Sequence, residues 1–115
     1  MPRSARLDAP GTLHHVIARG IERYDIFRDD KDRVNFLERL GDNIEKGEYQ
    51  CFAWALIPNH FHLLIRTGIM PLSTLIRKLM TGYAVYFNKR HKRNGHLFQN
   101  PTNQSFVNKI PIYWN

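Results

Sequence analysis

The residues best suited to chemistry lie in Pro58-Asn59-His60-Phe61-His62-Leu63-Leu64-Ile65-Arg66. Read as a turn entering a β-strand, the stretch alternates faces, so His60 and His62 stand side by side with Leu64 and Arg66 beyond them. Phe61, Leu63 and Ile65 take the other face, which is wholly apolar and belongs against a core. Two neighbouring imidazoles on an otherwise apolar strand suit a divalent cation, because neutral imidazole is the commonest metal ligand. The competing reading is a pair of structural histidines, which are also ordinary.

The elements that must position this pair can be read from periodicity. Residues 12–19 alternate as a strand, with Leu13, His15, Ile17 and Arg19 on one face and His14, Val16 and Ala18 on the other. Asp29 and Asp30 suit the N-terminus of a helix over residues 31–46, whose apolar stripe is Phe36, Leu37, Leu40 and Ile44. Gly47 is read as its stop. Residues 49–57 are apolar and uncharged, which predicts a well-buried strand. Pro58-Asn59 has turn chemistry, so this strand and the histidine strand form an antiparallel hairpin. Apolar residues at 72, 75, 76, 79, 83, 86 and 87 mark a second helix that runs to about His91 and ends in Lys89, Arg90, Lys92 and Arg93.

The order β-α-β-β-α predicts an α+β, ferredoxin-like antiparallel sheet with both helices on one face. A fourth strand is expected by the pattern but is not visible in the last twenty residues. The free face of such a sheet would carry His60 and His62 with His15 and Arg19 beside them.

Composition limits the partners. With 115 residues the chain is one domain with one modest core, and 43% apolar residues fit a globular protein. Seventeen Lys and Arg against ten Asp and Glu give a net charge of +7, which favours nucleic acid as partner. Neither helix has the aromatic-and-basic two-faced pattern of a membrane-surface binder. The single cysteine, Cys51, excludes an internal disulfide and reads as a small buried hydrophobe. No apolar stretch is long enough to span a bilayer and no signal-peptide core is visible, so the expected compartment is the cytoplasm.

With Pro58-Asn59-His60-Phe61-His62 in place, the flanking residues resemble a known family. His15-Val16 through Arg19-Gly20 upstream, and Tyr83, Tyr86-Phe87-Asn88 and Gly95-His96-Leu97-Phe98-Gln99 downstream, are similar to the single-tyrosine HUH transposases. Within them the chain looks like the REP-associated tyrosine transposases. The resemblance runs from about Leu13 to Asn100. It implies a DNA strand transferase in which His60 and His62 hold Mg²⁺ or Mn²⁺ over the scissile phosphate of single-stranded DNA. In that family a tyrosine attacks and forms a 5′-phosphotyrosyl enzyme, and the DNA partners are hairpins at imperfect-palindromic ends. Phosphate contacts are expected from His15, Arg19, Arg66, Lys89, Arg90, Lys92 and Arg93.

The chain departs from the family after Asn100. There the family continues Arg-Tyr-Lys-Ser, whereas this chain has Pro101-Thr102-Asn103-Gln104-Ser105. Codon degeneracy, read from the third base of the Pro101 codon, permits Tyr-Lys-Ser-Ile-Leu-Cys-Glu-Gln-Asp-Pro-Tyr-Leu-Leu-Glu. The expected organisation is therefore a flexible arm at 1–11, the transposase-like domain at 12–100 and a frameshifted tail at 101–115. On this reading the last strand and the tyrosine helix are lost, and the family tyrosine has no counterpart in the chain. The protein is then a degenerate, DNA-binding copy, and pairing of two copies through the open edge is expected. The alternative is a single-stranded nucleic-acid-binding ferredoxin-like module with no catalytic role, which would stack bases on exposed sheet aromatics.

Several residues have plainer readings. His14 and His96 are taken as structural, Tyr83 and Tyr86 as core, and Tyr113 as no substitute nucleophile. The coding DNA tests the tail directly. One base inserted after the Asn100 codon is expected to restore an open frame that encodes a tyrosine-bearing helix; a frame that stays closed refutes the frameshift.

Overall fold

The computed structural model describes residues 11–99 and the backbone of Val107–Lys109. Strand β1 is Leu13–Arg19, helix α1 Asp30–Gly47, β2 Gln50–Ile57, β3 His60–Arg66, α2 Leu72–Arg90 and β4 Val107–Lys109. The sheet order is β2-β3-β1-β4, and every pairing is antiparallel. This is the ferredoxin-like arrangement expected from the element order.

The edge where the last strand was expected to be missing is occupied. β4 pairs with His14–Val16 of β1, and further along the Gln99 N–H donates to the Arg19 carbonyl at 2.8 Å. Three residues are too few to give a periodic signal, so the sequence could not display this strand. The edge on which pairing of two copies was expected is thus filled from within the chain. Whether a tyrosine helix follows lies outside the described residues.

Both helices pack on one face of the sheet. Phe61, Leu63 and Ile65 of β3 and Val16 and Ala18 of β1 are at most 2% exposed and meet Phe36, Leu40, Leu75, Leu79, Tyr83 and Phe87 from the helices. The Phe36 ring lies 4.8 Å from that of Phe61 and 5.3 Å from that of Tyr83, so one aromatic of α1 touches both the sheet and α2. β2 is different: it is an edge strand, and Phe52, Trp54 and Ile57 are exposed. The expectation of a well-buried strand fails because an apolar run does not reveal which strand will stand at the edge.

A side chain fixes the start of α1, and backbone N–H groups close the C-terminal ends of both helices. Asp29 caps α1 by accepting from the Asp32 N–H at 3.1 Å, as the acidic pair suggested. Gly47 is the last helical residue, and the left-handed cap falls on Glu48. A Cβ at Gly47 would collide with the Tyr49 ring, so glycine is needed there for packing rather than for a turn. No helix among the described residues is long and apolar enough to cross a membrane.

One buried carboxylate ties the two helices together. Asp32 is fully buried and accepts from Arg90 at 2.6 Å, Tyr86 at 2.8 Å, His91 at 2.9 Å and the Arg28 N–H at 3.0 Å. Burial pushes its carboxyl pKa up, but the donors outweigh that and hold it below the ordinary range. Removing this acceptor leaves several donors without a partner. Asp32→Ala is therefore expected to cost about 3–5 kcal/mol in denaturant unfolding at neutral pH. Because the folded pKa lies below the unfolded one, the charge contributes fully above about pH 4 and is lost as pH falls through the folded value. The advantage of wild type over Asp32→Asn should accordingly shrink only in acid, and equal stability at pH 7 would refute the role given to Asp32.

Candidate metal and nucleic-acid site

The register of β1 against β3 assembles the site. His60 faces Arg19, His62 faces Ile17 and Leu64 faces His15, all on the side away from the helices. The opposite side chains, Phe61, Leu63, Val16 and Ala18, are the core, so burial of one set turns the other outward. The two-residue turn at Pro58-Asn59 sets His60 at the start of β3. That turn is itself held: the Pro58 carbonyl accepts from the Ile26 N–H at 2.6 Å and the Phe27 N–H at 3.0 Å, and the Asn59 carbonyl accepts from the Gly20 N–H at 2.9 Å.

Three imidazoles meet on this face. The His60 and His62 rings are 4.9 Å apart and nearly perpendicular. The His15 ring meets His62 end to end, with ring centres 5.2 Å apart and His15 Nε2 3.0 Å from His62 Nδ1. His60 Nδ1 lies 2.8 Å from Asn59 Oδ1. A carboxamide oxygen only accepts, so His60 carries its proton on Nδ1 and leaves the Nε2 lone pair available. Burial, then the neighbouring His60, His15 and Arg19, push the His62 pKa below its ordinary value and favour the neutral, ligating form.

His60 and His62 supply two nitrogen donors, fewer than a divalent cation needs. Among the described residues no group of three or more His, Cys, Asp or Glu is arranged around one ion. Two imidazoles alone fit a hard divalent ion only when water or phosphate oxygens complete its shell, which is how Mg²⁺ is commonly bound.

The seven cationic or imidazole residues expected to touch nucleic acid do not form one patch. His15 and Arg19 lie with the histidine pair, and Arg19 is exposed. Arg66 is on the same face but six residues along β3, roughly 20 Å from His60. It lies against the ring of Phe52, with 5.5 Å from guanidinium to ring centre. Lys89, Arg90, Lys92 and Arg93 belong to the helix layer. Arg90 is bound to Asp29 at 2.7 Å and to Asp32 at 2.6 Å. Arg93 sits 4.5 Å over the Tyr24 ring and donates to Asn88 Oδ1 and to the His96 carbonyl. Lys89 and Lys92 are exposed.

The described tyrosines are engaged elsewhere. Tyr49 donates to the Pro71 carbonyl, Tyr83 to the Ile26 carbonyl and Tyr86 to Asp32. Tyr24 lies beside Phe87 with Arg28 and Arg93 over its ring. Tyr113 lies outside the described residues. Two features escaped the sequence reading. Asn59 is a partner of His60 as well as a turn residue, which its position next to the histidine could have suggested. A β-bulge between Cys51 and Ala53 puts Phe52 beside Arg66, and no simple alternation would reveal it.

A family model described as "Transposase IS200 like" matches residues 10–106. No curated protein matches the chain. A REP-associated tyrosine transposase solved bound to a REP hairpin is similar with a TM-score of 0.69 at 13% identity, over 98% of this chain and 64% of that one. The chain thus spans less than two thirds of that protein. A candidate transposase of Deinococcus radiodurans R1 is similar with a TM-score of 0.66 at 16% identity, over 91% of this chain and 82% of the other. At such identities the likeness is one of fold.

The crowding of the imidazoles has a measurable consequence. His62 is expected to titrate below its ordinary value of 6.5 in an NMR pH series. His60→Ala should raise that pKa part of the way, since burial remains. Titration of His62 at or above 6.5 in the wild type would contradict the arrangement.

Proposed function

The chain belongs to the IS200-like transposase family, and we propose that it is a transposase-like DNA-binding protein whose open sheet face receives single-stranded DNA. The observation that carries this reading is the pair His60 and His62, set side by side on the free face with Arg19 directly opposite His60. The hairpin DNA held by the REP-associated relative supports a hairpin or palindromic end as ligand.

In this reading His60 and His62 hold Mg²⁺ or Mn²⁺ together with a phosphate of the bound strand. A cation there would polarise the phosphodiester and absorb developing charge. Arg19 binds an adjacent phosphate and fixes the strand across β1 and β3. His15 stays beneath the strand, and the exposed Lys89 and Lys92 give longer-range attraction to the polyanion. The four described tyrosines are engaged within the fold, Tyr49, Tyr83 and Tyr86 as hydrogen-bond donors and Tyr24 with Arg28, Arg93 and Phe87, which supports a protein in which none of these four attacks the DNA.

The test is incubation of a single-stranded DNA hairpin with the full chain and Mn²⁺. Salt-sensitive binding with no covalent adduct is expected, and a phosphotyrosyl adduct would overturn the non-cleaving reading. Arg19→Ala should weaken binding to all sequences alike and reduce the salt slope by about 1. The double variant His60→Ala/His62→Ala should abolish the Mn²⁺-dependent part of binding. Unchanged binding and metal uptake in that variant would favour a plain nucleic-acid module.

A further inference from the structure

The geometry points to His15 as a positioning residue that keeps the His62 proton on Nδ1, so that His62 Nε2 remains a ligand. The inference rests on the metal reading above and assigns one residue's part in it. His15 reaches His62 on the diagonal, since its own cross-strand partner is Leu64 and that of His62 is Ile17. The ring planes are within 16° of parallel with their centres 5.2 Å apart, and His15 Nε2 is 3.0 Å from His62 Nδ1, so the two rings meet end to end and the bond lies near both ring planes.

That contact holds a single proton between two neutral rings. If His62 Nδ1 donates, His15 Nε2 accepts and His62 keeps its Nε2 lone pair. If His15 donates, His62 must carry its proton on Nε2 and cannot ligate through it. His60 is already set in the first way by Asn59 Oδ1 at 2.8 Å. His15 then does for His62 what Asn59 does for His60: each ligating ring donates its other N–H to a fixed acceptor, as metal-bound histidines usually do. The two acceptors come from different elements, Asn59 from the turn before β3 and His15 from β1. The pairing of β1 with β3 therefore fixes the proton position as well as the position of the ring.

The bond also separates His15 from the ligand role itself. Its Nε2 is directed at His62 Nδ1, and among the described residues no set of three histidines surrounds a common point. A leucine at position 15 would fill similar space but accept no hydrogen bond. A glutamine would supply a carbonyl oxygen as acceptor.

The test uses the full chain, with Mn²⁺ alone as probe. In metal-free protein, nitrogen-15 NMR is expected to show His62 protonated on Nδ1 in the wild type and on Nε2 in His15→Leu. Mn²⁺ affinity, followed by electron paramagnetic resonance, should fall about tenfold in His15→Leu and recover in His15→Gln. Equal melting temperatures of the three proteins would separate this effect from a loss of packing. Wild-type Mn²⁺ affinity in His15→Leu, a proton on His62 Nε2 in the wild type, or Mn²⁺ coupled to three imidazole nitrogens would each overturn the inference. A wild type that takes up no Mn²⁺ would instead sink the metal reading, while the NMR signature would still decide where the His62 proton resides.

Discussion

The strict alternation of β3 is the constraint on which the site depends. Phe61, Leu63 and Ile65 are each at most 1% exposed, and burying one such side chain is worth about 1.5–3 kcal/mol. A slip of one residue would bring all three into water and force His60, His62 and Arg66 under the helices. The hydrophobic core thus selects the register, and the register places the imidazoles. No separate interaction is needed to present them to the open face, although Asn59 and His15 then fix how the rings are oriented.

Charge is divided between the two layers in a way that net charge does not reveal. On the helix side, Asp29 and Asp32 bind Arg90, and the Asp32 carboxylate also collects Tyr86, His91 and a backbone N–H. Arg93 is held by Asn88, His96 and the Tyr24 ring. These cations serve the packing of α1 against α2 and the closure of the segment that follows. On the sheet side Arg19 is exposed beside two imidazoles. The same count of basic residues therefore does two kinds of work, one inside the fold and one at its surface.

Much of this was legible from residue order. The apolar stripes of the helices, the turn at Pro58-Asn59 and the alternation of β1 and β3 all have local periods, and each element appears within a few residues of its expected place. The histidine face was legible for the same reason. What local pattern cannot carry is position within the sheet. β2 looked buried because its residues are apolar, yet strand order leaves it at the edge with Phe52 and Trp54 exposed. β4 was invisible because three residues have no period. Arg90 read as a surface cation because its partner, Asp32, is fifty-eight residues away in sequence. Gly47 was recognised at the right place but for the wrong reason, since the ring of Tyr49, not a left-handed turn, requires it.

The double acceptor at Pro58 bears on how a ligand would be met. Ile26 and Phe27, whose N–H groups hold that carbonyl, are themselves at most 1% exposed. The bend preceding His60 is consequently anchored to the interior and cannot swing without unpacking it. A strand arriving at this face would find its receptor already rigid, and little conformational entropy would be lost on docking there.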